Sequence, residues 1–245
     1  MSETTNKNIV SIDIKNLTKQ YGQQKALDNV TLAVHEREIV GLLGPNGAGK
    51  STMMKIITCF IPATKGEVKV CNYDVNEDSK KIRSLIGYLP EQNPLYNELY
   101  VRENLEFIAG LHGIKGKERK NIVDEIIERV GLTKEVKKKI GALSKGYKQR
   151  VGIAQALMHN PKILILDEPT TGLDPNQLVE IRSLIKGLGK DKTVILSTHI
   201  MQEVEAVCSR AVIINNGKLV ADDSVKALAQ GETLEQKFRE ITAGI

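Results

Sequence analysis

The residues Gly44, Pro45, Asn46, Gly47, Ala48, Gly49, Lys50, Ser51 and Thr52 spell G-x-x-x-x-G-K-[ST] between an apolar run and a helix-compatible segment. Glycines at this spacing let backbone N–H groups converge on phosphate oxygens, and a helix N-terminus adds partial positive charge. In such a loop Lys50 reaches the β and γ phosphates and Ser51 sets its hydroxyl on Mg2+. A plain glycine-rich turn gives neither the lysine nor the serine anything to do. Further along, Ile163-Leu164-Ile165-Leu166 runs into Asp167-Glu168. An apolar strand that carries two carboxylates to its C-terminal edge puts them where open α/β sheets bind ligands. Asp167 is then the candidate for the Mg2+ shell, and Glu168 the candidate to orient or deprotonate an attacking water. The two motifs together imply hydrolysis of a nucleoside triphosphate, with Mg2+ as cofactor.

The elements that must hold these groups are legible nearby. Ile39–Leu43 is a continuous apolar run ending at a glycine, the pattern of a strand buried on both faces. Residues 162–166, 193–196 and 211–214 have the same character. Helical periodicity separates them, clearest at Pro175–Leu188 and residues 200–207. The helix after the phosphate loop is expected to start near Met53. Strands alternating with helices predict a mostly parallel sheet in an α/β fold. Residues 9–15 alternate as a half-buried strand, and residues 31–34 give a second short one. Residues 101–140 break the pattern: they are charged and amphipathic, with a good helix at 118–130 and no buried strand. They predict a helical subdomain inserted into the α/β core. The tail, residues 224–242, offers two short helices.

Composition sets outer bounds. A chain of 245 residues can fold as one large domain or two small ones. The net charge of +5 is too small an excess to argue for nucleic acid, and it suits an anionic ligand or a membrane surface equally well. With no Trp and 4% aromatics, stacking platforms for single-stranded nucleic acid are not expected. Cys59, Cys71 and Cys208 form no C-x-x-C pair, so a reducing compartment is the default and a disulfide framework or zinc site is not. The first residues lack the apolar core of a signal peptide, and no run approaches the ~20 apolar residues of a membrane span. A cytosolic chain, meeting any membrane through a partner, is the expectation.

One stretch, Leu143-Ser144-Lys145-Gly146-Tyr147, lies upstream of Asp167-Glu168 at the start of a helix running to about Met158. In this order it resembles the Leu-Ser-Gly-Gly-Gln signature of the ATP-binding subunits of ABC transporters. The resemblance spans residues 9–242 as a single ATP-binding domain, with a helical subdomain at about 93–160 and a C-terminal helical tail over 222–245. It implies a P-loop core with a mostly parallel sheet and an N-terminal antiparallel β part. By the same resemblance Tyr21 matches the aromatic that stacks on adenine, and Asp174 in Thr171-Gly172-Leu173-Asp174 matches the family's D-loop. Read without it, Tyr21 is an ordinary turn tyrosine and Asp174-Pro175 a helix cap with Pro at N1. His199 matches the switch histidine at the γ-phosphate. Where the family usually has its Q-loop glutamine, Tyr88-Leu89-Pro90 is followed by Glu91 and then Gln92. Strict alignment gives Glu91 the metal and water position, with Gln92 as the alternative.

The resemblance further implies two subunits sandwiching two ATP molecules, the signature of one facing the phosphate loop of the other. Ser144 and Gly146 would then donate to the partner's nucleotide. Lys145 stands where a glycine is common, so it either attracts that nucleotide or lies in solvent. The pair is a homodimer or two different ATPase subunits, docked through residues 93–99 and the following helices on integral membrane subunits at the cytoplasmic face of the inner membrane. The runs "PTTGLDPNQLVEIR", "STHIMQEVEAVC" and "YLPEQNPLY" look like the gliding-motility-associated ATP-binding subunits of ABC-2-type exporters. Soluble members that act on DNA carry long coiled-coil or zinc insertions, and those that act on ribosomes fuse two cassettes. Neither feature is in this sequence.

Overall fold

A computed structural model describes residues 9–229 and 233–243. The reading that the first residues are no signal peptide concerns residues 1–8, outside the described residues, as are the last residues of the tail. Two sheets organise the chain. The first is antiparallel, in the order β2 (Gln24–His35), β1 (Val10–Tyr21), β4 (Lys65–Val70), β5 (Tyr73–Asp74). Strands β1 and β2 are longer than the alternation at residues 9–15 and 31–34 suggests. Asn16 and Asn29 adopt positive φ (51° and 54°), and the β1–β2 register shifts around them. Each such bulge breaks the period of two that sequence reading depends on.

The second sheet runs β10 (Lys218–Ser224), β9 (Arg210–Asn215), β3 (Ile39–Leu43), β8 (Thr193–Thr198), β7 (Ile163–Asp167), β6 (Ile86–Leu89). All its pairings are parallel except the β10 edge. Its central strands are buried on both faces, and their residues sort by parity. Ile163 and Ile165 pack with the antiparallel sheet and helix α1 (Lys50–Ile57); Leu164 and Leu166 pack with the helices on the other side. That two-sided burial is why these strands read as unbroken apolar runs. Of the strands the sequence reading leaves out, β4 and β10 are short, charged and largely exposed, so burial wrote little pattern into them, and β5 and β6 are only two and four residues long.

Helix α2 (Ser79–Leu85) leads into β6, and between β6 and β7 lie α3 (Val101–Leu111), α4 (Gly116–Arg129), a 3-10 turn (Ile140–Ala142) and α5 (Lys145–Leu157). Helix α4 is strongly polar, yet it buries a stripe of Val123, Ile126 and Ile127 at helical spacing. Beyond β7 come α6 (Pro175–Leu188) and α7 (Met201–Val207), then α8 (Val225–Leu228) and α9 (Leu234–Ala243) after β10. Among the described residues no helix is long and apolar enough to cross a membrane.

His159, leaving α5, joins the helical segment to the sheet. Its Nε2 lies 3.1 Å from the Ile86 carbonyl, which fixes that nitrogen as the donor, and its ring stacks on His112 at 4.3 Å. Burial, then the neighbouring His112, pushes its pKa down; burial alone lowers that of His112. A base whose folded pKa is depressed binds fewer protons folded than unfolded, so stability is lost as pH falls through the ordinary value of 6.5. Thermal melts are expected to fall as the pH is taken from about 7 to about 5. His159→Gln, which keeps an amide donor toward Ile86, is expected to flatten that slope.

Candidate functional site

Strand order decides what meets at the C-terminal edge of the parallel sheet. β8 lies between β3 and β7, with Leu43 beside Thr198 and Ser197 beside Asp167. The loop after β3, the acids that end β7 and the histidine just past β8 are therefore neighbours. They close on one cavity of about 450 Å³ lined by residues 46–52, Glu91, Glu168, Thr171 and His199.

The loop turns tightly into α1, which begins at Lys50 and not near Met53. The lysine and serine are thus part of the first helical turn, whose N–H groups have no intrahelical acceptors. Gly49 caps this helix at φ 113°, and a Cβ there would sit 2.5 Å from the Ala26 carbonyl oxygen. Only glycine fits both constraints. Lys50 is buried and its Nζ donates to the carbonyls of Gly44 (2.7 Å) and Pro45 (3.2 Å). Burial lowers the pKa of Lys50, while Glu168, Asp167 and Glu91 pull it back up. Burial first, then Asp167 and Glu91, also pushes the Tyr88 hydroxyl up to about 12.

Ser51 Oγ lies 3.4 Å from Asp167 Oδ1. This hard-oxygen pair suits Mg2+, which binds through one or two carboxylates and completes its octahedron with phosphate oxygens and water. Among the described residues no cluster of three or more His, Cys, Asp or Glu makes an all-protein cage. The donor set fits a metal that arrives with a phosphate ligand.

Glu168 is 8% exposed and takes positive φ (51°), which is costly for a residue with a Cβ. The turn is held by its own N–H, which donates to Ser197 Oγ at 3.1 Å. Its carboxylate accepts from Thr171 Oγ1 and faces His199 Nδ1, each at 3.0 Å. Ser197 also donates to Asp167 Oδ1, so one buried hydroxyl positions both acids. Sequence reasoning missed Ser197 and Thr171. Thr171, three residues after Glu168, had a local signal; Ser197 had none, because its contact spans two strands.

Of the remaining candidates, one enters this cavity and the others lie elsewhere. Glu91 lines the cavity and Gln92 does not. Tyr21 is 52% exposed at the end of β1, with Lys19 Nζ 5.0 Å from its ring centre. Ser144 caps α5 by accepting from the Tyr147 N–H at 3.4 Å, and Asp174 caps α6 by accepting from the N–H groups of Asn176 and Gln177. Ser144, Gly146 and Asp174 line a second recess, of about 260 Å³, apart from the first. Lys145 crosses over Gly172, where a Cβ would lie 2.3 Å from its Nζ.

The chain matches known proteins both in sequence and in fold. Residues 27–171 match the family model described as "ABC transporter". The bacitracin transport ATP-binding protein BcrA of Bacillus licheniformis is 42% identical, over 86% of this chain and 69% of that protein. The linearmycin resistance ATP-binding protein LnrL of Bacillus subtilis (strain 168) is 38% identical, over 86% and 68%. Among solved structures, an ATP-binding subunit of an ABC transporter superposes with TM-score 0.83 at 30% identity, covering 94% of this chain and 98% of that one. A dimeric, post-hydrolysis ATP-binding cassette bound to ADP and Pi superposes with TM-score 0.79 at 33% identity, covering 87% and 98%.

Proposed function

The chain belongs to the ABC transporter family as an ATP-binding, ATP-hydrolysing subunit, and from that premise we propose that it powers an ABC-2-type exporter from the cytoplasmic face of the inner membrane. The observation that carries this reading is the cavity lined by Lys50, Ser51, Glu168 and His199, with Asp167 beside it on Ser51.

Phosphoryl transfer to water needs positioning and charge neutralisation more than covalent chemistry. Lys50 gives up its contacts with the Gly44 and Pro45 carbonyls and turns its ammonium to the β and γ phosphates. Ser51, Asp167 and Glu91 would hold Mg2+, which supplies charge neutralisation at the β and γ oxygens when bound. Glu168 orients the attacking water and accepts its proton. His199, held against Glu168, donates to the γ-phosphate oxygens as charge develops. Tyr21 offers its exposed ring to the adenine. Ser144 and Gly146, in the second recess, serve the nucleotide of a second subunit, identical or paired, and Asp174 lies beside that contact.

Two relatives carry names of bacitracin transport and linearmycin resistance, which favours export of antibiotic-like cargo over a motility role. The gliding-motility branch rests only on the sequence runs quoted above. Affinity purification of the chain from detergent-solubilised membranes is expected to bring down integral membrane proteins in stoichiometric amount, identified by mass spectrometry. Recovery of the chain alone, entirely in the soluble fraction, would overturn the exporter reading.

A further inference from the structure

Gln177 has no role in the mechanism above, yet it lies in the second recess. It is the third residue of α6, and its side chain reaches from one helix N-terminus across to the other. Its Nε2 donates to Ser144 Oγ at 3.5 Å, the outer limit of a hydrogen bond. Its amide carbon and Oε1 lie against Gly146, so close that a Cβ on that glycine would be 2.6 Å from either atom. Gly146 is buried although it stands at the start of an exposed helical turn, and Gln177 is what lies over it. The amide therefore occupies the space above Ser144 and Gly146, the two residues assigned to the partner's phosphate.

Neighbouring charges leave no competing anchor. Asp174 is engaged by the N–H groups of Asn176 and Gln177, and Arg150 by Glu180 and the Val130 carbonyl. At the α5 N-terminus the Tyr147 N–H is taken by Ser144, while those of Lys145 and Gly146 have no acceptor within the helix and suit either an amide oxygen or a phosphate oxygen. The two occupants exclude each other by volume.

We propose that Gln177 is a latch on the signature loop, an uncharged stand-in that covers the trans phosphate site in the free chain and swings out when the ATP of a second subunit arrives. This inference rests on the cross-subunit reading of Ser144 and Gly146. A long, marginal hydrogen bond is what a displaceable cover requires: it shields the loop without competing strongly with a charged ligand.

The test measures ATP-driven pairing of the full chain by sedimentation velocity, in a Glu168→Gln background that retains ATP. Gln177→Ala is expected to lower the ATP concentration for half-maximal pairing by about three- to tenfold, the yield of removing one weak competing contact. Gln177→Glu, with the same shape and a charge that repels phosphate, is expected to raise it. If Gln177 merely props Ser144 in place, the alanine variant shifts the other way and the latch is wrong; an unchanged midpoint also overturns it. A background protein that never pairs with ATP overturns the cross-subunit reading itself, and the latch with it. Nucleotide binding to the single chain, measured in parallel, is expected to be equal in all three proteins, which separates a latch from damage to the fold.

Discussion

Glu168→Gln is expected to reduce ATP hydrolysis by about 10²- to 10⁴-fold, the range for loss of a positioned general base, while ATP binding is retained. The substitution is nearly isosteric, so the positive-φ turn and the backbone bond to Ser197 are kept. The glutamine oxygen can still accept from Thr171 or from His199, but not from both with full charge. What disappears is the negative charge and the lone pair that can take a proton from water. Phosphate release reports the first expectation, and titration with a fluorescent ATP analogue reports the second. Hydrolysis at the wild-type rate would remove Glu168 from its role. A parallel loss of binding would instead mean that the carboxylate shapes the cavity, through its attraction for the Lys50 ammonium.

The phosphate loop and the Asp-Glu strand end were legible because each is a local pattern: five to nine adjacent residues whose chemistry requires that order. The parallel strands were legible because burial on both faces leaves long apolar runs. Strand Ile39–Leu43 and helix Pro175–Leu188 match their sequence readings residue for residue. Where a bulge interrupts the alternation, as at Asn16 and Asn29, the strands were cut short. The same limit applies to the site. Ser197 joins Asp167 to Glu168 across neighbouring strands, and Gln177 covers Gly146 from a different helix. Contacts of this kind depend on sheet order and helix placement, which no window of adjacent residues encodes. The choice between Glu91 and Gln92 was open in the sequence for a related reason. One residue of register decides which side chain enters the cavity, and it is Glu91 that does.

The largest stability effect is expected at a pair that neither sequence pattern nor chemistry singled out. Glu203, on α7, is 1% exposed, and Arg182 of α6 meets it with both arms of the guanidinium: Nε to Oε2 at 3.1 Å and Nη2 to Oε1 at 2.5 Å. The hydrogen bonds that Arg182 donates to Glu203 come first among the causes that raise its pKa. Removing the arginine strands a carboxylate among apolar neighbours. Breaking buried pairs typically costs about 3–5 kcal/mol, and the partial exposure of Arg182 places this one near about 3. For a domain of this size that is a fall of about 6–12 °C in the melting midpoint of Arg182→Met. The double variant Arg182→Met, Glu203→Met is expected to recover most of the loss, because apolar packing can replace a buried ion pair that has no unpaired charge left over. Additive losses in the double variant would show that each side chain acts alone and that the pairing contributes little. The position also matters for the site: α6 starts at the Asp174 cap and α7 starts just after His199. Loosening their clamp is therefore expected to slow hydrolysis in the single variant as well, through the placement of His199 against Glu168.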